Sequence, residues 1–174
     1  MRPWSKLQSA LYRVVSPDIR FQLQCRVVRM DSSRGSTNLP RYWITLGKET
    51  IWAYPDQFSL PGGATKQADN HTLAYYPHTT DVPAISQLIR EYVDTPVSQL
   101  LTKRFDSDHW GLINILRAAD RRIGQRQLPL LRRKVHNTAA LKVLDARQAS
   151  NSSEPRRKQV TQSVANAGAA AGEA

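Results

Sequence analysis

The feature that most constrains the fold is an apolar stripe at helical spacing that runs directly into a cluster of basic residues. On a helical wheel of about 100° per residue, the apolar side chains that follow Trp110 fall on one narrow side. This stripe consists of Leu112, Ile115, Leu116, Ala119 and Ile123. The opposite side carries Trp110, Asn114, Arg117 and Arg121. The pattern predicts a helix that packs its stripe on a core and turns its polar side outwards, with Gly124 as its stop.

The basic charge of the chain is concentrated at and after this helix. The chain has 174 residues and a formal net charge of +11. Residues 1–116 contribute a net charge of +3, whereas residues 117–158 contribute +9. Such a balance favours nucleic acid, an anionic membrane surface or an acidic protein as partner. The candidate anion-binding residues are Trp110, Arg117, Arg121, Arg122, Arg126, Arg132, Arg133 and Lys134.

Two interpretations of this cluster remain open. In the first, the guanidinium groups bind phosphate in bidentate geometry and Trp110 stacks on a base. In the second, the cluster is a solvated helix end, where cations are favourable, and Trp110 folds into the core. Asp120 is expected to pair locally with Arg117 or Arg121 rather than to act as a catalytic acid.

The N-terminal half predicts one helix and an antiparallel meander. Apolar residues at helical spacing predict a helix over Pro3–Val15, and strict alternation predicts a strand over Ile19–Met30. Two short runs, Arg41–Leu46 and Glu49–Tyr54, flank Gly47-Lys48 and predict a hairpin. Across this hairpin, Trp43 and Trp52 are expected to pair. The outward strand side carries Arg20, Gln22, Gln24 and Arg26, which fit a solvated face better than a nucleic-acid platform.

Polar and turn-forming segments separate these elements from the C-terminal helices. Asp31–Asn38 is expected to be a loop, and Ser59–Thr80 a long, mobile one. A helix capped by Asp81 follows, with a stripe of Ile85, Leu88, Ile89 and Tyr92. A short helix is expected over Val97–Phe105, after which Asp106, Ser107 and Asp108 offer N-caps.

The expected fold class is α+β. A small three-stranded antiparallel meander is covered by an N-terminal helix and two to three C-terminal helices. Residues 1–134 are predicted to form one domain, including the loop at 59–80, with Leu128, Leu130 and Leu131 as a final apolar latch. Residues 135–148 are predicted to be a linker with a marginal helix. Residues 149–174 are predicted to be a disordered tail, basic and then rich in Ala and Gly.

Three segments resemble a family of small uncharacterised bacterial proteins. They are Pro3-Trp4-Ser5-Lys6-Leu7, the hairpin Arg41-Tyr42-Trp43-Ile44-Thr45-Leu46-Gly47-Lys48-Glu49, and Leu116-Arg117-Ala118-Ala119-Asp120-Arg121-Arg122-Ile123-Gly124-Gln125-Arg126. The hairpin is one residue tighter than the family pattern, and Gln127 replaces an arginine. Because members often end near Leu128, residues 129–174 are expected to be an extension. The resemblance implies a compact cytoplasmic domain and no assigned activity.

Composition and spacing argue against several functional classes. Cys25 is the only cysteine, so no internal disulfide forms, which fits a reducing, cytoplasmic compartment. No run approaches the roughly 20 apolar residues of a membrane span. The nearest approach to a metal or acid–base site is Asp106, Asp108 and His109, which helix capping explains. We therefore expect no catalytic residues, no metal, no cofactor and no small-molecule substrate.

These observations lead to three functional hypotheses. The first is a non-catalytic binding protein whose basic C-terminal helix and tail engage nucleic acid, RNA more than DNA. The second is a protein–protein adaptor, or a subunit of a larger assembly, that binds an acidic protein partner. The third is an enzyme with an unrecognised site around Asp106, Asp108 and His109.

Overall fold

A three-stranded antiparallel sheet forms the first layer of the fold. In the computed structural model, residues 4–32, 35–59, 65–67, 82 and 84–153 are described. Strand β1 (Phe21–Ser32) pairs with β2 (Gly35–Leu46), and β2 pairs with β3 (Glu49–Tyr54), in the order β1-β2-β3. Each strand is joined to the next by a hairpin, because antiparallel neighbours need only a short connection. The predicted meander is confirmed.

The register of the second hairpin does not place the two expected tryptophans opposite each other. Gly47 adopts a positive φ of 62°, which the tight turn requires and which glycine accepts without steric cost. Trp43 lies opposite Ala53, and Ile44 lies opposite Trp52, with a register shift just after Ile44. The predicted pairing of Trp43 with Trp52 is therefore wrong, because neighbouring positions on a strand point to opposite faces of the sheet.

The first hairpin is longer than its polar sequence suggests. Strand β1 continues to Ser32 and β2 begins at Gly35, so the predicted loop over Asp31–Asn38 is wrong. The pairing of two strands along their whole length outweighs the weak strand propensity of these polar residues. Strand β4 (Gln57–Ser59), which ends where the expected loop at 59–80 begins, pairs with β5 (Thr65–Gln67) inside that loop. The rest of that loop lies outside the described residues.

In the described part of the chain, five helices form the second layer, with two single 3-10 turns between them. Their bounds are α1 Trp4–Tyr12, α2 Ala84–Val93, α3 Leu112–Ala119, α4 Leu128–Lys134 and α5 Thr138–Ser153. The short helix expected over Val97–Phe105 is only a 3-10 turn at Val97–Gln99. The predicted apolar stripes of α2 and α3 are buried in a continuous core with Leu7, Leu11, Leu23 and Ile44. The fold class is α+β, and none of the described helices is long and apolar enough to cross a membrane.

Helix α5 is a central part of the core. It packs along α3, and its side chains at Ala140, Val143 and Leu144 are fully buried. The sequence suggested a marginal helix in a linker, because its apolar residues are few and include small alanines. Its stability comes instead from packing against a helix that is distant in sequence. It also runs past Ala149 to Ser153, into the expected tail, whose remaining residues lie outside the described part of the chain.

Helix α3 is shorter than the apolar stripe that predicts it. It begins at Leu112 and ends at Ala119, while Ile123 is buried beyond the helix end. As expected, Asp108 caps its start, accepting hydrogen bonds from the backbone N–H of Leu112 (2.9 Å) and of Ile113 (3.0 Å). A second side of the helix, at Ile113 and Ala118, is also buried, because α5 covers it.

The start of α3 is locked to the start of α5 by Asn137. The Asn137 amide donates to the Gly111 carbonyl oxygen at 3.1 Å, and its oxygen accepts from the backbone N–H of Ala139 and of Ala140. Gly111 has a positive φ of 67°, a conformation that side chains disfavour. One asparagine thus caps α5 and holds the turn that begins α3.

We predict that Gly111→Ala destabilises the protein by about 1–3 kcal/mol, because a residue with a side chain is strained at this φ. A methyl group there would also lie 2.7 Å from the Asn137 amide nitrogen. The matched control is Gly124→Ala, since Gly124 has a φ of −67° and open space around it. Urea denaturation of both variants measures the difference, and equal stability of the two would contradict this account.

Candidate functional site

The eight candidate anion-binding residues divide into two groups by exposure. The first group is at least half buried and bonded within the protein, and it consists of Trp110, Arg117 and Arg122. The second group is exposed and consists of Arg121, Arg126, Arg132, Arg133 and Lys134. The position of each residue relative to the core therefore decides which of them a partner can reach.

Asp120 is the centre of the buried group. Its side chain is only 1 % exposed, and its Oδ2 accepts a hydrogen bond from the Tyr92 hydroxyl at 2.7 Å. The Arg122 guanidinium binds both carboxylate oxygens, with Nη2 at 2.7 Å from Oδ2 and Nε at 3.1 Å from Oδ1. The Asp120 partner was expected to be Arg117 or Arg121. The carboxylate binds Arg122 instead, because the chain leaves helical geometry at Asp120 and no longer follows helical spacing.

Arg122 uses its remaining donors to hold the end of α2. Its Nη1 donates to the carbonyl oxygens of Val93 at 3.3 Å and Thr95 at 3.1 Å. Burial by itself would lower the Arg122 pKa, but the hydrogen bonds and negative charge of Asp120 outweigh burial, and the pKa is raised. Burial and the Asp120 charge both raise the pKa of Tyr92 well above its ordinary value. Arg122 is thus a fully charged structural clamp between α2 and the end of α3.

Arg147 is a buried structural arginine that sequence reasoning missed. It lies on α5, is 4 % exposed, and donates to the carbonyl oxygens of Ala118 at 3.1 Å and Asp120 at 3.0 Å. A third bond reaches the Ile123 carbonyl oxygen at 3.1 Å. The carbonyls of Ala118 and Asp120 lie at the end of α3, so Arg147 holds the chain where this helix ends. Burial lowers the Arg147 pKa, and the nearby Asp120 charge opposes this change. Its only sequence signal was the one arginine among the apolar residues of α5.

Arg117 faces the protein rather than open solvent. Its Nε donates to the Leu100 carbonyl oxygen at 2.8 Å, and its Nη2 donates to the Lys103 carbonyl oxygen at 2.7 Å. Its guanidinium carbon lies 5.6 Å from the centre of the Phe105 ring. Within the described residues Arg117 makes no ion pair, and burial lowers its pKa. It therefore fixes the segment between α2 and α3. Its Nη1 makes no hydrogen bond within the described residues.

Trp110, the expected stacking residue, is half buried in an aromatic group. Its ring makes edge contacts with Tyr54 at 5.8 Å and with His109 at 5.9 Å between ring centres. Its backbone carbonyl accepts a hydrogen bond from the Trp52 indole at 3.1 Å. The second interpretation of the sequence, in which this tryptophan folds towards the core, fits the structure better. Base stacking on Trp110 would require it to leave these contacts.

The exposed basic residues lie between the end of α3 and the end of α4. Arg132 forms an ion pair with Asp145 of α5 at 2.5 Å. Within the described part of the chain, no side-chain hydrogen bond or ion pair engages Arg121, Arg126, Arg133 or Lys134. No acidic residue occurs in the sequence from 121 to 134. We call these four residues the basic patch, and their charges are available to a partner.

The other candidate groups have local explanations. Both oxygens of Asp108 are used in capping α3, and Asp106 lies 3.8 Å from Arg104 in an exposed ion pair. His109 is exposed beside Trp110. Among the described residues, no three histidine, cysteine or acidic side chains are grouped as a metal site would require. Arg20, just before β1, and Gln22 and Arg26 on β1 are exposed, whereas Gln24 is half buried.

The sheet, the helical layer and the buried arginines define a small α+β protein whose helix α5 completes the core. The chain belongs to the SF0329 protein family, whose sequence model matches residues 3–147. The match extends past Leu128, so the expectation that family similarity ends there is wrong. It ends at Arg147, the residue that binds the end of α3. No curated protein and no solved structure matches the chain.

We predict that Asp120→Asn destabilises the protein by about 3–5 kcal/mol, because it leaves the charge of Arg122 without its carboxylate partner and removes a negative charge that acts on the buried Arg147. The matched control is Asp145→Asn, which removes the exposed partner of Arg132 and should change stability by less than about 1 kcal/mol. Chemical denaturation at neutral pH measures both variants. A similar loss in the two would show that burial of the Asp120 pair is not decisive.

We also predict that Cys25 reacts slowly with alkylating reagents in the folded protein. Burial raises its thiol pKa from 9.0 to about 11, and a hydrogen bond with Tyr42 only partly opposes this. Since the thiolate is the reactive form, the folded protein at pH 8 should react roughly a hundredfold more slowly than urea-unfolded protein. Iodoacetamide rates measured from pH 7 to 11 should keep rising. A plateau near pH 9 would disagree with the raised pKa.

Proposed function

We propose that this protein is a non-catalytic nucleic-acid-binding protein, with RNA preferred over DNA, and that the basic patch contacts the phosphate backbone. The observation that carries the proposal is the exposure of Arg121, Arg126, Arg133 and Lys134 with no acidic residue between them in the sequence. Neutralising these cations with phosphates releases counter-ions from the nucleic acid, which is the main source of non-specific affinity.

The arginines have different roles, and this difference supports the proposed binding of nucleic acid by the basic patch. Arg117, Arg122 and Arg147 bind carbonyl oxygens or Asp120 within the fold, so their role is structural. The patch residues have no comparable structural role in the described chain. Exposed arginines beyond those that the fold uses are typical of phosphate-binding surfaces. The single cysteine supports a reducing, cytoplasmic compartment as part of the same proposal.

An acidic protein partner is the second candidate, and one observation favours it. Leu130 is 54 % exposed on α4, close in sequence to Arg132, Arg133 and Lys134. A large exposed apolar side chain among cations suits an acidic surface with an apolar centre. Retention of one defined protein partner after nuclease treatment, together with no RNA binding at low salt, would favour this function over the first.

We predict that the double variant R121E/R126E lowers RNA affinity at least tenfold, because two phosphate contacts are replaced by repulsion. The slope of log affinity against log salt should fall by about two. The control is K6E/R13E, which makes the same change in charge at two exposed positions on or next to α1. Fluorescence anisotropy with labelled RNA and DNA over a salt series measures both.

The control variant should keep most of the affinity and the original salt slope. Equal losses in the two variants would mean that net charge alone drives binding and that the patch is not the interface. If neither RNA nor DNA of mixed sequence binds the unaltered protein at low salt, the nucleic-acid function is refuted.

A further inference from the structure

Arg117 lies where two cavities meet, beside the basic patch. The first cavity has a volume of about 480 Å³ and is mainly polar, with Lys103, Arg104 and Asp106 in its wall. The second has a volume of about 180 Å³ and is lined mainly by aliphatic side chains. Both are lined by Leu101, Asn114 and Arg117, so the two cavities adjoin at these residues and together make one surface feature. We call this feature the Arg117 groove.

Arg117 forms no direct ion pair within the described structure, although the charge of the nearby Asp108 acts on it. Its two hydrogen bonds go to carbonyl oxygens, whereas Arg122 binds a carboxylate directly. Taking a cation out of water is costly unless an anion accompanies it. A half-buried guanidinium that is left unpaired at a cavity wall is therefore suited to an anion that a ligand supplies. Its Nη1 has no bond within the described chain and is the nitrogen available for this contact.

Acidic side chains in the groove are already engaged. The Asp108 oxygens accept hydrogen bonds from the start of α3, which offsets their charge. Asp106 lies beside Arg104, and Lys103 forms an ion pair with Glu91 at 3.0 Å. The cations left for a ligand in the groove are Arg117 and Lys134, and the latter also belongs to the basic patch. An anion that enters the groove thus meets the same charges that the patch offers.

The small volume and the lining of the aliphatic part of the groove suit a compact, weakly polar group. Its walls are Leu101, Leu130, Leu131 and Val135, with the Asn114 amide at the junction of the two cavities. Leu131 is buried, whereas Leu130 is exposed and lies at the rim. An amide can both donate and accept, so Asn114 can pair with the edge of a base. The whole groove therefore offers a cation for a phosphate beside an apolar site for a base.

We propose that the Arg117 groove binds one unpaired nucleotide, with the base in the aliphatic cavity and its phosphate beside Arg117 and Lys134. This inference rests on the proposed nucleic-acid function and adds a preference for single strands. A base held in a duplex cannot leave its stack to enter the cavity without losing its pairing, whereas an unpaired base can. The basic patch then carries the flanking phosphates.

The first experiment tests the groove without a polymer. Uridine 5′-monophosphate, uridine and inorganic phosphate are each titrated into the labelled protein and followed by amide chemical shifts. The nucleotide should shift the amides of Leu101, Asn114 and Val135 at lower concentrations than either the nucleoside or phosphate. Equal effects of phosphate and nucleotide would mean a simple anion site and would overturn the base assignment.

The second experiment uses a matched pair of variants. Leu130→Glu places an acid at the groove rim, and Val27→Glu makes the same change at a similarly exposed position, 60 % exposed, on β1. Relative to V27E, L130E should lower affinity for single-stranded RNA by about tenfold and affinity for a paired RNA duplex much less. Because both residues are exposed, both variants should fold, which amide spectra verify.

The outcomes separate the groove from the patch. If RNA binds but L130E behaves like V27E and the nucleotide shifts no groove amide, the groove inference is wrong and the patch function stands. If the nucleotide shifts the groove amides but no RNA or DNA binds at low salt, the groove binds a nucleotide and the polymer function is wrong. Equal affinity of the unaltered protein for single-stranded and duplex RNA would also count against the groove.

Discussion

The buried carboxylate of Asp120 is the interaction on which the helical layer depends. Three elements that are far apart in sequence meet at this residue: Tyr92 of α2, Arg122 just after α3, and Arg147 of α5. A buried charge is tolerated only if its partners and hydrogen bonds are complete, and removal of one partner leaves the others unpaired. Arg122 also binds main-chain carbonyls at the end of α2, and Arg147 binds those at and after the end of α3, so the same cluster fixes the chain at both places.

This requirement divides the arginines of the C-terminal third by role. Those that reach Asp120 or nearby carbonyls are structural, and their charges are already neutralised or satisfied inside the fold. Arg121 adjoins Asp120 in sequence but points outwards, since Arg122 occupies the inward position. The proposed contacts with phosphate therefore fall on residues that leave the core intact when substituted. Arg117 stands between these groups, because it braces the chain and, in the described structure, forms no direct ion pair while lying beside a cavity.

The closing of the core by α5 explains how a short α3 remains stable. An eight-residue helix is too short to be stable in isolation and depends on packing. It is covered by α5, capped by Asp108 at its start and bound by Arg147 at its end. Asn137 joins the beginnings of both helices. The match to the SF0329 protein family through residue 147 is consistent with α5 being part of this unit.

Local pattern was sufficient to predict much of the fold from the sequence. Alternation predicted the meander, glycine at Gly47 predicted its turn, and helical spacing predicted the buried stripes of α2 and α3. These features depend on neighbouring residues, so their physical cause is visible within a few positions. The concentration of charge after residue 117 was equally evident, and it located the region that contains the exposed basic patch.

Only the tertiary structure decided which charged residues belong to the core and where the core ends. Arg117, Arg121 and Arg122 look alike in sequence, but their environments depend on Leu100, Asp120 and Thr95, which other segments or a turn bring to them. The sequence predicted only a marginal helix at α5, because the residues of α3 that bury it lie elsewhere in the chain. The hydrogen-bond partners of a buried arginine and the packing of a weakly apolar helix are non-local, and a single sequence contains no periodic signal for either.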